Sequence, residues 1–209
     1  MPDERMKVTV ISDYICPWCY VGARRVAEFE RMFEIDLKWW PFELHPETPK
    51  EGREINSLVE RRGRVYADHL RSFAAEAGIT LASNRRLSNS HRALELSEFA
   101  RQHDAFGAVH DHLFRAYFEE GRDIGDLDVL CDIAAAEGLD ANEFRVEILV
   151  GRYADLIDRT TALAREKGVT STPTIIFDDR MVITGAQDLN VYVDVLTRLG
   201  AAPWHPGII

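Results

Sequence analysis

Two of the three cysteines, Cys16 and Cys19, are separated by only two residues. In the first turn of a helix, residues at this spacing are close enough for a disulfide, whose Cα atoms lie roughly 4.4–6.8 Å apart. A thiol at a helix start faces unpaired N–H groups with partial positive charge, which lower its pKa. Pro17 suits the first helical position because its missing N–H costs nothing there. The spacing therefore predicts a redox dithiol, with Cys16 as the nucleophile and Cys19 as the resolving thiol.

A zinc site is the main alternative chemistry for this pair. One Cys-x-x-Cys supplies only half of a structural zinc site, and the other half needs two further ligands with their own spacing. Cys131, the third cysteine, lies in an apolar helical stretch without a ligand pair beside it. We therefore expect no metal at the cysteines, and we interpret Cys131 as a buried, inert thiol.

The composition limits the compartment and the partners. The chain has 209 residues, with 25 Lys plus Arg, 35 Asp plus Glu and a net charge of −10. Nucleic acids and anionic membranes bind basic faces, so we expect neither as a partner. The N-terminal residues lack the basic and apolar pattern of a signal peptide, and no apolar run approaches the ~20 residues of a membrane span. These features predict a cytoplasmic protein, in which a disulfide of Cys16 and Cys19 would be transient.

The pattern along the chain predicts an α/β fold with an insertion. Residues 7–12 read as a strand, a helix follows to about residue 33, and residues 35–44 read as a second strand, which forms a β-α-β unit. Residues 174–177 and 181–184 read as a β-hairpin, and residues 188–199 as a closing helix. The stretch between is helical in pattern. We therefore predict a mixed sheet formed by residues 1–50 and 168–209, interrupted by an all-helical insertion at residues 51–167.

Several segments, taken together and in order, resemble the DsbA family of thioredoxin-like oxidoreductases, in its FrnE-like cytoplasmic branch. They are Cys-Pro-Trp-Cys-Tyr-Val-Gly at 16–22, Trp-Pro-Phe-Glu-Leu-His-Pro at 40–46, Tyr-Phe-Glu-Glu-Gly-Arg-Asp-Ile at 117–124 and Ile-Thr-Gly-Ala-Gln at 183–187. The resemblance implies a thioredoxin-like domain and supports the roles given to Cys16 and Cys19. It also implies that Pro173 is a cis-proline and that the Thr172 backbone pairs with a bound peptide or with glutathione.

Kappa-class glutathione transferases and 2-hydroxychromene-2-carboxylate isomerases resemble the chain as well. In that branch the segment matching Gly185 to Gln187 grips glutathione, but a serine typically stands where this chain has Cys16. The full set of expected substrate-binding residues is Pro17, Trp18, Thr172, Pro173 and Gln187.

Thioredoxin-like proteins often carry a buried acid six residues before the first cysteine, where this chain has Val10. Asp13 is interpreted as a turn residue, so no proton acceptor for Cys19 is predicted.

Other polar residues are interpreted as solvent-facing. His45 could reach the thiols, where a cation would lower the cysteine pKa, but a surface loop position is favoured. His110 and His112 are read as solvated because they do not share a helix face. The short arginine clusters at 61–64 and 85–86 are read as solvated faces.

The preferred function is a cytosolic thiol–disulfide oxidoreductase that uses no metal or organic cofactor and acts on a protein or on glutathione as co-substrate. In a reducing compartment, a reductase, isomerase or glutathione-coupled role is favoured over an oxidase. The alternative is a glutathione-dependent isomerase or transferase acting on a small aromatic or electrophilic substrate. A non-catalytic partner-binding module is the third hypothesis.

Overall fold

The computed structural model describes residues 5–56, 62–83 and 85–204. In chain order the elements are β1 (Met6–Ser12), α1 (Pro17–Glu30), β2 (Phe33–Pro41), β3 (Arg53–Glu54), α2 (Arg64–Glu76), β4 (Arg86–Leu87), α3 (His91–Gln102), α4 (Phe106–Phe118), α5 (Leu127–Ala136), α6 (Ala141–Leu149), α7 (Ala154–Glu166), β5 (Thr174–Phe177), β6 (Met181–Thr184), α8 (Leu189–Leu199) and β7 (Ala202–Pro203). None of the helices in these ranges is long and apolar enough to cross a membrane.

The main sheet has five strands in the order β6-β5-β1-β2-β7. The predicted β-α-β unit is confirmed, because β1 and β2 pair in parallel from Met6 opposite Ile35 to Ser12 opposite Pro41. The predicted hairpin is also confirmed: β5 and β6 pair antiparallel, and β5 pairs antiparallel with β1. This mixed pairing places the end of β1 beside the start of β5, so the segments that follow and precede those two strands meet at one end of the sheet.

Hydrophobic clusters hold both faces of this sheet. On one face, side chains of β1, β2 and β5 pack against Val26 and Phe29 of α1 and against Tyr192 and Leu196 of α8. On the other face, Ile11 packs in a smaller cluster with side chains that include Ala164 of α7. Burial of apolar surface at about 25 cal/mol per Å² is the main favourable term in such layers. Helix α1 is therefore fixed along its length, which fixes the position of its N-terminus.

The segment predicted as an all-helical insertion contains helices α2 to α7, but it is not entirely helical, because β3 and β4 form a short antiparallel pair within it. The helices share one hydrophobic cluster with the residues around the thiols, from Tyr14 to Val21. Asp140 caps the N-terminus of α6, since its carboxylate accepts the N–H groups of Asn142 and Glu143 at 2.8 and 3.1 Å. The cysteine pair is thus packed between the sheet and the helical segment rather than carried on the sheet alone.

The interpretation of His110 as solvent-facing is wrong. Its ring is buried and bonds through Nδ1 to the Tyr14 hydroxyl at 2.8 Å. Trp39, Phe106 and Phe114 surround it. Burial lowers the pKa of His110 to about 3, so the ring is neutral at physiological pH. Phe106 and Phe114 lie on the same face of α4 as His110, but the pattern of α4 does not show that Trp39 of β2 and Tyr14 after β1 close over the ring.

Candidate active site

Cys16 occupies the N-cap position of α1. Its backbone is extended, its N–H bonds to the Asp13 carbonyl, and its own carbonyl accepts the N–H groups of Cys19 and Tyr20 at 3.0 and 3.3 Å. Pro17 follows at the first helical position, and the first turn carries no acidic side chain. The helix N-terminus therefore presents its partial positive charge to the Cys16 sulfur without a competing carboxylate in that turn.

The thiols of Cys16 and Cys19 have opposite tendencies to ionise. Hydrogen bonding from the Cys19 thiol lowers the pKa of Cys16, although burial opposes this effect. Burial raises the pKa of Cys19 well above its ordinary value, and the neighbouring Cys16 raises it further. Both residues are free thiols, with Cys16 6% exposed and Cys19 fully buried. This asymmetry fits the order predicted from the sequence, with Cys16 attacking first and Cys19 following.

The segment before β5 lies directly against the thiols. The Thr172–Pro173 peptide bond is cis, and the Cys16 thiol donates a hydrogen bond to the Thr172 carbonyl oxygen at 3.3 Å. The Pro173 carbonyl accepts the N–H of Gly185 at 2.8 Å, which joins this segment to the end of β6. Gly22 of α1 allows the close approach, since a Cβ at Gly22 would lie 3.1 Å from Pro173 Cγ. The segment expected to carry a cis-proline therefore lies directly against the Cys16 thiol.

Asp13 was interpreted from the sequence as a turn residue and was not predicted to belong to this site. It is fully buried, and its carboxylate accepts the N–H groups of Leu44 at 2.7 Å and of Ile15 at 3.3 Å. Burial raises the pKa of Asp13 to about 6. Its charge also raises the pKa of Cys16, which shows that the two groups interact. The only signal in the sequence is its position three residues before Cys16. That position does not indicate burial, because a carboxylate in a turn usually faces solvent.

A cavity of about 400 Å³, which we call the thiol cavity, opens beside Cys16. Its walls come from the segment around the thiols, from α2, from the stretch before β4 and from the end of α4. The apolar lining side chains are Ile15, Leu44, Ile55, Leu70, Leu81, Leu87 and Phe118.

Three arginines, Arg62, Arg71 and Arg85, also line the thiol cavity, together with His45. None of the described lining residues is Asp or Glu. The interpretation of Arg62 and Arg85 as purely solvated is therefore incomplete, because their side chains border the entrance to a thiol. His45 does border the cavity, but its Nδ1 lies 2.9 Å from Glu47 Oε1.

Trp18 separates the thiol cavity from a second cavity of about 430 Å³ that contains Gln187. Both cavities are bordered by Trp18 and Thr172. Trp18 also contacts α2: its Nε1 donates to the Tyr66 hydroxyl at 2.7 Å, and its ring lies against His69 and Phe73. Trp18 thus borders both cavities and also packs against α2. Gln187 borders the second cavity, which Thr172 also borders, but it does not border the thiol cavity.

Cys131 lies apart from the pair, with its thiol 3.6 Å from the Ala141 carbonyl oxygen and its pKa raised by burial. Among the described residues, the one group of side chains able to hold a metal ion is Glu43, His91 and Asp158, and it does not include a thiol. The site is therefore a dithiol at a helix start, a cis-proline segment and a buried carboxyl group.

Comparison with known proteins identifies the family of this chain. The family description "DSBA-like thioredoxin domain" matches residues 7–197. A probable DsbA oxidoreductase from Streptomyces coelicolor superimposes with a TM-score of 0.82 at 27% identity, over 92% of this chain and 89% of that one.

Two more distant structures share the fold. A 2-hydroxychromene-2-carboxylate isomerase has a TM-score of 0.73 at 19% identity, over 93% of this chain and 96% of that one. The cytosolic disulfide reductase DsbM from Pseudomonas aeruginosa with glutathione has a TM-score of 0.68 at 18% identity, over 92% and 99%. The fold and the family match define a DsbA-like protein of the thiol–disulfide oxidoreductase class. This chain belongs to the DSBA-like thioredoxin domain family.

Proposed function

We propose that the protein is a cytosolic thiol–disulfide oxidoreductase that works through a Cys16–Cys19 dithiol. The observation that carries the proposal is the opposed ionisation of the two thiols: the pKa of Cys16 is lowered and that of Cys19 is raised. A low pKa supplies a thiolate nucleophile, and a high pKa keeps the second thiol protonated until it is needed. The adjacent Thr172 backbone supports binding of an extended substrate beside Cys16.

The reaction proceeds in two exchanges in the reducing direction. The Cys16 thiolate attacks one sulfur of the substrate disulfide, the substrate S–S bond breaks, and the first substrate thiol leaves. Cys19 then loses its proton and attacks the Cys16 sulfur, which releases the second substrate thiol and forms the Cys16–Cys19 disulfide. An electron pair has passed to the substrate, and two external thiols, such as two glutathione molecules, restore the dithiol.

Asp13 is our proposed proton acceptor for the second exchange. It is buried with the thiols, and its pKa of about 6 allows it to exchange a proton at physiological pH. The electrostatic interaction between Asp13 and Cys16 is reciprocal, so loss of the Cys16 negative charge in the mixed disulfide lowers the pKa of Asp13 and leaves its carboxylate deprotonated and free to accept the Cys19 proton. The carboxyl group can thus take up and release a proton as the state of the dithiol changes.

Three single variants test the mechanism. Cys16→Ala should abolish disulfide exchange with a model disulfide, because the nucleophile is gone. Cys19→Ala should accumulate a mixed disulfide at Cys16, detected as an added mass that dithiothreitol removes. Cys131→Ala is the matched control and should exchange at the wild-type rate, because Cys131 lies outside the site. Normal multiple turnover by Cys19→Ala would contradict the mechanism.

A glutathione-dependent isomerase or transferase is the second candidate, and the thiol cavity favours it. At about 400 Å³ with a largely apolar lining, this cavity has the size and character of a small-molecule site. That function would use one nucleophilic position with glutathione held near Thr172, Pro173 and Gln187. Glutathione-dependent turnover of an aromatic electrophile by Cys19→Ala at the wild-type rate would favour it over dithiol exchange.

A further inference from the structure

A second cluster of polar side chains lies away from the thiols. Glu43 follows β2, His91 begins α3, and Asp158 lies on α7. One ligand atom from each of these residues lies within 4.8 Å of the other two. His91 Nδ1 is 3.1 Å from Glu43 Oε2. The three residues come from three separate elements, and they border a groove of about 790 Å³.

A fourth side chain, Glu95 of α3, points to a missing ligand. It is 3% exposed and borders the same groove, and its Oε1 lies 3.8 Å from His91 Nε2. Its other oxygen, Oε2, is buried without a hydrogen-bond partner among the described residues. A buried carboxylate oxygen left unpaired is destabilising because it has lost its hydration without compensation, so such atoms usually have a partner.

The local charge balance also favours a cation. Three carboxylates, those of Glu43, Glu95 and Asp158, surround the single imidazole of His91. Lys50 and Arg92 border the groove, and the charge of Arg92 acts on Glu95, but neither forms an ion pair with these carboxylates within 4.0 Å among the described residues. The Glu43 and Glu95 side chains are almost completely buried, so solvent screens their charges weakly.

We propose that Glu43, His91 and Asp158, with Glu95 beside them, bind a divalent cation of the Mn²⁺ or Zn²⁺ type. One imidazole with carboxylates is a donor set that suits these ions. Zn–N and Zn–O bonds are about 2.0–2.2 Å, which separates neighbouring ligand atoms by about 3–4 Å. A contraction of the cluster by about 1 Å, within reach of rotations of the exposed Asp158 side chain, meets that spacing.

A cation bound here would stabilise the region next to the thiol site without contacting the thiols. It would join the segment after β2 to α3 and α7. The next residue after Glu43 is Leu44, whose N–H binds the buried Asp13 carboxylate. The proposal concerns structure and binding and does not rest on the proposed dithiol chemistry.

Titration of the full-length protein with Mn²⁺ tests the site, with the EPR signal of free Mn²⁺ as the readout. Mn²⁺ binds thiols poorly, so the cysteines should not compete. We expect one ion per chain for the wild type. Asp158→Asn and His91→Ala should each bind roughly tenfold or more weakly, since even outer partners of a metal are worth 10–100-fold. Asp158 is exposed, so its variant should fold normally.

Asp155→Asn is the matched control, because it removes an exposed carboxylate from the same helix, outside the cluster. It should bind Mn²⁺ like the wild type, and Mn²⁺ should raise the unfolding temperature of both. Absence of binding, or equal binding by the wild type and both cluster variants, would overturn the proposal. Co²⁺ gives a second readout: if one Co²⁺ binds with a sulfur-to-metal charge-transfer band and binds equally well to Asp158→Asn and His91→Ala, the ion lies at the cysteines and the proposal is overturned.

Discussion

The thiols of Cys16 and Cys19 differ in pKa because of where α1 begins. Cys16 caps the helix and Cys19 lies one turn inside it, so only Cys16 faces the positive end of the helix and a cavity. Burial then has different consequences: at Cys16 it is outweighed by hydrogen bonding from Cys19, and at Cys19 it dominates. The Cys-x-x-Cys spacing predicts both roles, and the pKa directions of the two thiols are consistent with them. The burial of Asp13 was not predictable, because it depends on the Leu44 N–H, which arrives from the end of β2.

Asp13 makes a specific contribution to the pH dependence of stability. Its pKa is about 6 in the folded protein, against 3.8 for an ordinary carboxyl group. Between those values the folded state binds more protons than the unfolded state, so stability falls as the pH rises through this window. Asp13→Asn removes the titration. The free energy of unfolding of the wild type, minus that of the variant, should fall by about 2 kcal/mol between pH 4.5 and pH 7.5.

Urea unfolding of both proteins at the two pH values measures this difference. The variant loses a carboxylate acceptor for the N–H of Leu44 or of Ile15, and this cost is the same at both pH values. It therefore cancels when the two differences are compared. A difference that stays constant between pH 4.5 and 7.5 would show that Asp13 does not titrate in this window.

At the scale of elements, the contact between α1 and the segment before β5 positions the Cys16 thiol against the Thr172 backbone, where we propose that substrate binds. Gly22 is buried in α1, and a Cβ there would lie 3.1 Å from Pro173 Cγ. Gly22→Ala should therefore displace Pro173 by a few tenths of an ångström. We expect the rate of mixed-disulfide formation to fall roughly threefold to tenfold, because misplacement of reacting groups by 1 Å costs about 100-fold. Stopped-flow measurement of exchange with a model disulfide gives this rate.

Gly107→Ala is the matched control for the effect of a helical glycine. Gly107 lies in α4, and a Cβ added there would meet nothing within 4 Å, so alanine fits without displacement. This variant should keep the wild-type exchange rate and gain up to about 1 kcal/mol of stability from helix propensity. An unchanged rate in Gly22→Ala would show that the position of Pro173 does not limit exchange.

At the scale of the whole molecule, periodicity predicted the elements but not the surfaces formed between them. The β-α-β unit, the hairpin and the helical stretch were readable because each depends on local pattern and turn residues. The thiol cavity was not, because its wall joins Arg62 and Arg71 to Arg85 and to the residues around Cys16. The solvent-facing interpretation of His110 was wrong for the same reason, since Trp39 and Tyr14 reach it from distant parts of the chain. Family resemblance pointed to Thr172 and Pro173, which no local pattern singled out.

The thiol cavity is lined by positive charges although the protein has a negative net charge, and this difference predicts a preference among substrates. The chain has a net charge of −10, yet Arg62, Arg71 and Arg85 border the cavity and no described lining residue is acidic, although Arg71 also pairs with Asp68 at 3.3 Å. A local positive field raises the encounter rate of anions. We therefore expect the dianion dithiodipropionate to react faster than neutral 2-hydroxyethyl disulfide, and dicationic cystamine to react slowest. The kcat/KM ratio of dianion to dication should reach roughly tenfold or more at low ionic strength.

Salt and matched variants separate this electrostatic effect from intrinsic reactivity. Raising the ionic strength should reduce the ratio, because the Debye length falls from about 30 Å at 0.01 M to about 8 Å at 0.15 M. Arg85→Gln should also reduce the ratio, because it removes a cavity charge while its backbone carbonyl can still accept the Ile55 N–H. Arg180→Gln is the control, since Arg180 lies in the β5–β6 turn beside Asp178. If the kcat/KM ratio changes neither with ionic strength nor in Arg85→Gln, then the cavity charge does not select the substrate, and the apolar lining of the cavity must do so.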